Sequence, residues 1–216
     1  MRAKIILCLL CCVILVGSNT FAWSVDINAP SSSVQNMKIG HSTDGVGIMM
    51  GAYSPFHSEM KGIYGGAFML SGQYCLNMSR SIDLLMSIGF IRKEGNPYYE
   101  DSTFTSGDRS NIRIIPMEVN IRKRFVLMRE PARGLFVGAG INYISANEKV
   151  PDIISASGGD FGSHIFAGPQ IFIMDNVAFE GEVKLLMNEI DMKDGSLRYP
   201  LTLSGLTIKA GLSWYY

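Results

Sequence analysis

The chain has 216 residues, 47% of them hydrophobic, and its 19 Lys+Arg balance its 19 Asp+Glu. This balance gives no electrostatic basis for binding nucleic acid, and the length suits one domain. Three of the four cysteines, Cys8, Cys11 and Cys12, lie in an N-terminal apolar run. If that run is removed, only Cys75 remains, which excludes an intrachain disulfide and a cysteine-based metal cluster.

The N-terminus has the three parts of a secretory signal peptide. Arg2 and Lys4 precede a short apolar run, and residues 20–22 provide small-residue cleavage chemistry. The run is shorter than the roughly 20 residues that a helix needs to cross a bilayer. We therefore predict a cleaved signal peptide over 1–22 and a flexible periplasmic lead-in over 23–43.

Eight segments after the lead-in alternate apolar and polar residues with the period of a β-strand. In the seventh segment, for example, Phe179 and Val183 fall on one face, and Glu180, Glu182 and Lys184 fall on the other. The first and sixth segments show the weakest alternation. In chain order the predicted strands cover residues 44–54, 64–76, 82–93, 111–125, 134–146, 161–174, 177–190 and 201–216.

The connections between these strands alternate in length. Long polar connections are predicted at 94–110, 147–160 and 191–200, and short ones at 77–81 and 174–176. The exception is the connection that begins at Val126, which is longer than a tight turn. Long outer loops and short periplasmic turns are typical of membrane barrels, whereas a soluble sandwich has no such asymmetry. No later segment approaches 20 apolar residues. We therefore predict an all-β fold, an eight-stranded antiparallel transmembrane β-barrel over 44–216.

Two consecutive segments carry a family resemblance. IPMEVNIRKRF at 115–125, followed by GLFVGAGINYI at 134–144, resembles the central signature of the small bacterial outer-membrane β-barrel domain family. That family includes opacity-type surface proteins and the OmpA-type membrane domain. The resemblance implies the barrel fold and a place in the outer membrane of a Gram-negative cell. It implies no particular activity, since one fold hosts many functions.

The last strand resembles the signal by which the outer-membrane assembly machinery recognises its clients. It alternates to the end of the chain, and Trp214 and Tyr216 share its apolar face. We predict that these two aromatic residues form the assembly signal.

Charged residues on the polar faces are the most function-like feature. An eight-stranded lumen is only wide enough for side chains to fill it. Unpaired charges there are costly, so we predict a salt-bridge network that closes the lumen and gives the barrel a structural or surface-interaction role. The alternative is a narrow channel for a small solute. The predicted network comprises Glu118, Arg122, Glu180, Glu182, Lys184 and Lys209.

The histidines give little support for catalysis. Ser163 and His164 are adjacent on one strand and point to opposite faces, and no serine is evidently fixed between His57 and Glu59; His41 lies in the predicted lead-in. We predict no catalytic residue, no metal site and no cofactor, and we keep a lipid-modifying enzyme as a less favoured alternative. The expected partners are outer-membrane lipid and lipopolysaccharide, the assembly machinery, and a surface ligand held by loops 94–110 and 147–160, with no nucleic acid.

Overall fold

The computed structural model describes residues 44–79, 81–97, 109–129, 132–150 and 154–216. The predicted signal peptide, the lead-in and the tip of the 94–110 connection lie outside these residues. The elements are β1 (Gly45–Pro55), α1 (Ser58–Ile63), β2 (Ala67–Ser79), β3 (Ile82–Pro97), β4 (Arg109–Arg129), β5 (Ala132–Val150), β6 (Ile154–Met174), β7 (Val177–Met187), β8 (Glu189–Asp194), β9 (Leu197–Thr202) and β10 (Gly205–Tyr215).

These strands close into an antiparallel ring. Each strand pairs with its neighbours in the chain from β1 to β7, while β10 pairs with both β7 and β1. The short strands β8 and β9 continue β7 and β10 beyond breaks at Asn188 and at Leu203 and Ser204. The wall of the described chain therefore has eight strand positions around its circumference, here called staves, with β7 and β8 in one stave and β9 and β10 in another. The predicted eight-stranded antiparallel barrel is confirmed.

The outer ends of the strands are longer than the sequence pattern predicted. β5 and β6 stay paired up to Val150 and Ile154, so the predicted long loop at 147–160 is wrong. Residues 191–200 likewise form most of the β8–β9 hairpin, whose turn is permitted by the positive φ of Gly195 (57°). The prediction failed because these segments are polar, although they keep the alternation of a strand: the inward Ala146, Ala156 and Met192 are all buried.

The connection from Val126 is also shorter than predicted. β4 continues to Arg129 and β5 begins at Ala132, with an irregularity in the pairing between Val126 and Met128. An extra residue on one strand disturbs the alternation locally, which is why the pattern looked like the start of a loop. The two paired strands therefore leave only residues 130–131 between them.

The outer face of the wall is apolar through its middle. Val119, Ile121, Val183 and Ile208 are each 46–54% exposed, although such residues are usually buried in soluble proteins. Within the described residues, no helix is long and apolar enough to cross a membrane.

The lumen is filled in layers. Its outer end holds an apolar cluster that includes Tyr53, Ile112, Ile144 and Ile190, and its inner end holds a second cluster around Phe136 and Phe166. Glycine makes room for these rings, because a Cβ added at Gly138 would lie 2.3 Å from the Phe166 ring. The charged residues lie between and beside the two clusters.

The helix α1 closes the outer end. Its Met60 is 3% exposed and belongs to the outer apolar cluster, as does Tyr64 just after the helix. Glu59 in the first turn and Lys61 in the last turn suit the helix dipole. Gly65 then takes a positive φ (59°), which lets the chain turn into β2.

Candidate functional site

Four charged side chains form one ion-pair cluster at the middle of the lumen, here called the central quartet: Glu118, Glu182, Lys184 and Lys209. Lys184 Nζ lies 2.5 Å from Glu118 Oε2 and 3.3 Å from Glu182 Oε1. Lys209 Nζ lies 2.9 Å from Glu182 Oε1. Two carboxylates thus face two ammonium groups, and the formal charge of the quartet is balanced.

A second cluster, the inner quartet, lies toward the end of the barrel where β1 begins and β10 ends: Asp83, Arg122, Arg124 and Glu180. Arg122 Nε lies 2.9 Å from Asp83 Oδ2, and its Nη1 lies 3.2 Å from Glu180 Oε1. Arg124 Nη2 lies 3.0 Å from Asp83 Oδ1. This quartet also has two anions and two cations.

Burial explains why each quartet is balanced. Seven of the eight side chains are at most 8% exposed, and Arg124 is 16% exposed. A buried ion needs an opposite charge and hydrogen bonds to offset its lost hydration. All six predicted lumen charges lie inside the barrel in these quartets.

Two members of the inner quartet were missed in the sequence. Asp83 is the second residue of β3 and pairs in register with Arg122 on β4, which places both side chains on the same inner face. The alternation in the sequence already indicated an inward position for Asp83, because it lies between the apolar Ile82 and Leu84. Arg124 was overlooked because it precedes the irregular end of β4.

Neutral donors complete the coordination of Glu180. Its Oε1 accepts hydrogen bonds from the Tyr215 hydroxyl at 2.6 Å and from Gln170 Nε2 at 2.7 Å. Its Oε2 accepts one from Gln73 Nε2 at 2.9 Å. Together with Arg122, these three groups hold the Glu180 carboxylate from four sides, which indicates a structural role for it.

His164 takes part in an amide network. Its Nε2 lies 2.5 Å from Asn120 Oδ1, and its Nδ1 lies 3.1 Å from Asn142 Nδ2. Asn188 Nδ2 in turn donates to Asn142 Oδ1 at 3.0 Å. Both ring nitrogens of His164 therefore face amides, an arrangement that gives the imidazole no hydroxyl nucleophile to activate.

The remaining candidate groups are dispersed. His57 Nδ1 lies 4.0 Å from Glu59 Oε2 at an exposed site, and His41 lies outside the described residues. Cys75 is buried, with its Sγ 3.5 Å from Arg122 Nη2. Among the described residues, no three His, Cys, Asp or Glu side chains are arranged to hold a metal ion.

A small cavity separates the central quartet from the outer apolar cluster. It has a volume of about 20 Å³ and is lined on one side by Glu118, Lys184 and Thr207 and on the other by Ile114 and Leu203. This volume suits about one water molecule.

The outer mouth is held by one carboxylate, Glu148, at the end of β5. Tyr64 donates a hydrogen bond to Glu148 Oε1 at 2.5 Å, and Tyr199 donates to Oε2 at 2.8 Å. Glu148 thereby connects the segment after α1 to the β8–β9 hairpin across the top of the barrel.

The C-terminal aromatic residues point in different directions. Trp214 and Tyr216 are 56% and 65% exposed on the outer face, and Tyr215 between them is buried in the lumen. Trp214 pairs with Val46 on β1, so the candidate assembly signal lies beside the seam between the first and last strands.

Comparisons with known proteins agree on the architecture. No family description matches the chain, and no curated protein matches its sequence. Outer membrane protein OprG from Pseudomonas aeruginosa matches in structure with a TM-score of 0.63 and 10% identity, over 82% of this chain and 98% of that chain. Outer membrane protein AlkL, solved in DMPC lipid bilayers, has a TM-score of 0.53 and 12% identity over 88% and 96% of the two chains.

Neisserial surface protein A matches with a TM-score of 0.52 and 11% identity, over 81% of this chain and 97% of that chain. These identities are low, so the likeness concerns the fold. Together with the closed eight-stave wall and its exposed apolar band, these structures show that the chain has the fold of a small, eight-stranded outer-membrane β-barrel.

Proposed function

We propose that this barrel is a closed, non-enzymatic outer-membrane scaffold with a structural or surface-interaction role. The observation that carries the proposal is the pair of charge-balanced quartets, which lie between and beside the two apolar clusters of the lumen. A polar conduit needs a continuous hydrated path, whereas the cavity beside the central quartet has room for about one water molecule.

The length of the wall supports a role at the cell surface. β4, β5 and β6 have 21, 19 and 21 residues, although about 9–11 residues suffice to cross a bilayer. Their outer halves form a paired sheet that extends beyond the apolar band. Such a sheet places its outer ends, at Pro97, Arg109, Val150 and Ile154, at a distance from the membrane, where a surface ligand has access.

Planar-bilayer recording tests the closed lumen. The refolded barrel is expected to give no stepwise conductance, while a large porin inserted under the same conditions gives clear steps. Steps from this protein whose size changes in Arg122→Met would contradict the proposal, because they would show that ions pass the inner quartet.

The enzyme alternative has its own test. Lipid A is extracted from cells with and without the protein and its mass spectrum is compared. We expect identical spectra, since His164 is bonded to Asn120 and Asn142 inside the wall. A new acylation or deacylation product that depends on the protein would overturn the non-enzymatic assignment.

A further inference from the structure

An exposed row of hydrogen-bond donors crosses the outer half of the barrel wall. Arg92 on β3 pairs with Arg113 on β4, which pairs with Asn147 on β5. The row continues across β6, β8 and β9. Its members are Arg92, Arg113, Asn147, Ser157, Lys193 and Arg198, all of them exposed. The row contains four cations and no carboxylate.

The height of this row follows from β4. Arg113 and Lys123 flank the outward apolar residues of that strand, Ile115 to Ile121. Ten residues at ~3.3 Å per residue and a tilt of ~35–45° give a rise of about 25 Å, the usual height of the apolar band. Arg113 therefore lies at the level of the outer headgroups, and Lys123 lies at the level of the inner headgroups.

Aromatic rings support this placement. The guanidinium carbon of Arg113 lies 5.3 Å from the centre of the Phe90 ring, and Lys123 Nζ lies 5.6 Å from the Phe125 ring. Aromatic residues collect at both boundaries of a membrane barrel, and long cationic side chains extend from there toward the headgroups.

Arg92 and Arg113 form a like-charged pair. Residues directly opposite on one face have Cβ atoms ~4.5–5.5 Å apart, and like charges there destabilise the sheet. The ion pairs of the lumen and of the first connection include neither arginine. Glu94, two residues farther out on β3, stands opposite Asn111, which still leaves this patch with an excess of positive charge.

We propose that Arg92, Arg113 and Asn147 bind a phosphate group of a glycolipid in the outer leaflet. Two adjacent guanidinium groups bind one phosphate by charge-assisted, bidentate hydrogen bonds, and the Asn147 amide adds a neutral donor. The membrane is the source of this phosphate because Arg113 stands at headgroup height beside an aromatic boundary residue. In a Gram-negative outer membrane that lipid is lipopolysaccharide, whose lipid A is phosphorylated.

The inference rests on the proposed outer-membrane role and adds the class of lipid that the wall contacts. Lys193 and Arg198 extend the site outward, since they lie close to the hairpin turn at Gly195.

Native mass spectrometry of the refolded barrel in uncharged detergent provides the test. The probes are lipid A with both phosphates and the same lipid A after dephosphorylation. The variants are Arg92→Gln, Arg113→Gln and the double variant, and the matched control is Lys123→Gln, which removes a ring-stacked cation at the opposite boundary. A cation near a membrane surface contributes about 1 kcal/mol, so each Arg→Gln change should weaken lipid A binding by roughly fivefold and the double change by about twenty-five-fold.

The amount of bound lipid A should fall when the lipid is dephosphorylated. In Lys123→Gln, the affinity for lipid A should remain within about twofold of the wild-type value. Equal binding of dephosphorylated lipid A, wild-type affinity in the double variant, or an equal loss in Lys123→Gln would overturn the proposal. Full displacement by inorganic phosphate would also overturn it, by assigning the site to a free anion.

A heat-modifiable gel band shows that each variant is folded. If the double Gln variant does not fold, Arg92→Lys with Arg113→Lys keeps the charge and should retain part of the affinity. Conductance of the same preparation is recorded separately, so a failure of lipid binding is distinguishable from a failure of the closed lumen.

Discussion

The Tyr215 hydroxyl lies 2.6 Å from Glu180 Oε1 and donates a hydrogen bond to it inside the lumen. Arg122 Nη2 and Gln170 Nε2 approach the same hydroxyl at 3.2 and 2.7 Å. The last strand is therefore held in two ways, by backbone pairing with β1 and β7 and by a buried phenol that joins the inner quartet.

Tyr215→Phe should destabilise the barrel, because Glu180 loses a donor while it stays buried and charged. The expected loss is about 1–3 kcal/mol in the free energy of unfolding. Urea unfolding of the refolded barrel measures it, with Tyr216→Phe as the control, since that ring is exposed on the outer face. Equal midpoints for the two variants would contradict the role given to the Tyr215 hydroxyl.

Arg122→Met should lower the free energy of unfolding by more than Tyr215→Phe does, by about 3–5 kcal/mol, because it leaves a buried carboxylate without its partner. Adding Glu180→Gln to Arg122→Met should recover part of this loss, since Arg124 still faces Asp83. Unfolding of the single and double variants gives the comparison. A double variant that is less stable than Arg122→Met would show that the pair is not the main reason for the loss.

Val119→Arg and Val183→Arg place a charge in the middle of the apolar band. Each should destabilise the inserted barrel by ~2–4 kcal/mol, whereas Ser157→Arg, on the outer face but above the band, should cost ~0–1 kcal/mol. Unfolding from lipid bilayers checks the difference. Similar losses in all three variants would argue that lipid does not surround the wall at these positions.

Replacing Trp214 and Tyr216 with serine should reduce insertion into the outer membrane. Until β10 pairs with β1, it presents an open strand edge that has to be recognised and protected. Pulse-chase fractionation should find the double variant in the periplasm, exposed to proteases. Normal insertion kinetics combined with lower stability would instead assign the two rings to the membrane boundary.

The contact between Tyr64 and Glu148 should make the stability of the barrel decrease at high pH. Burial, and then the hydrogen bond to Glu148, raise the pKa of Tyr64 well above its ordinary value. A raised pKa stabilises the folded state below the ordinary tyrosine pKa of ~10, and this contribution is lost as the pH rises further. Denaturant midpoints should therefore fall above about pH 10, and the fall should be smaller in Tyr64→Phe. Parallel curves for the two proteins would rule out this contribution.

The sequence by itself determined which residues face lipid and which face the lumen. Alternation with period two assigns every side chain of a strand to a face once one face is known, so the pattern alone separates Val119 from Glu118 and Val183 from Lys184. It also predicted the number of staves, because eight segments alternate, and it predicted closure, because each strand needs a partner on both sides when water is absent.

Only the tertiary structure decided how far the strands extend and which charges meet. The pairing of Asn147 with Ser157, above the apolar band, depends on backbone hydrogen bonds that leave no apolar signal in the sequence. The partners of Arg122 lie on β3 and β7, at Asp83 and Glu180, 39 and 58 residues away. Alternation sets the face of a side chain but not its height in the barrel. That height depends on the stagger of all eight staves, and the stagger sets which inward charges lie within reach of one another.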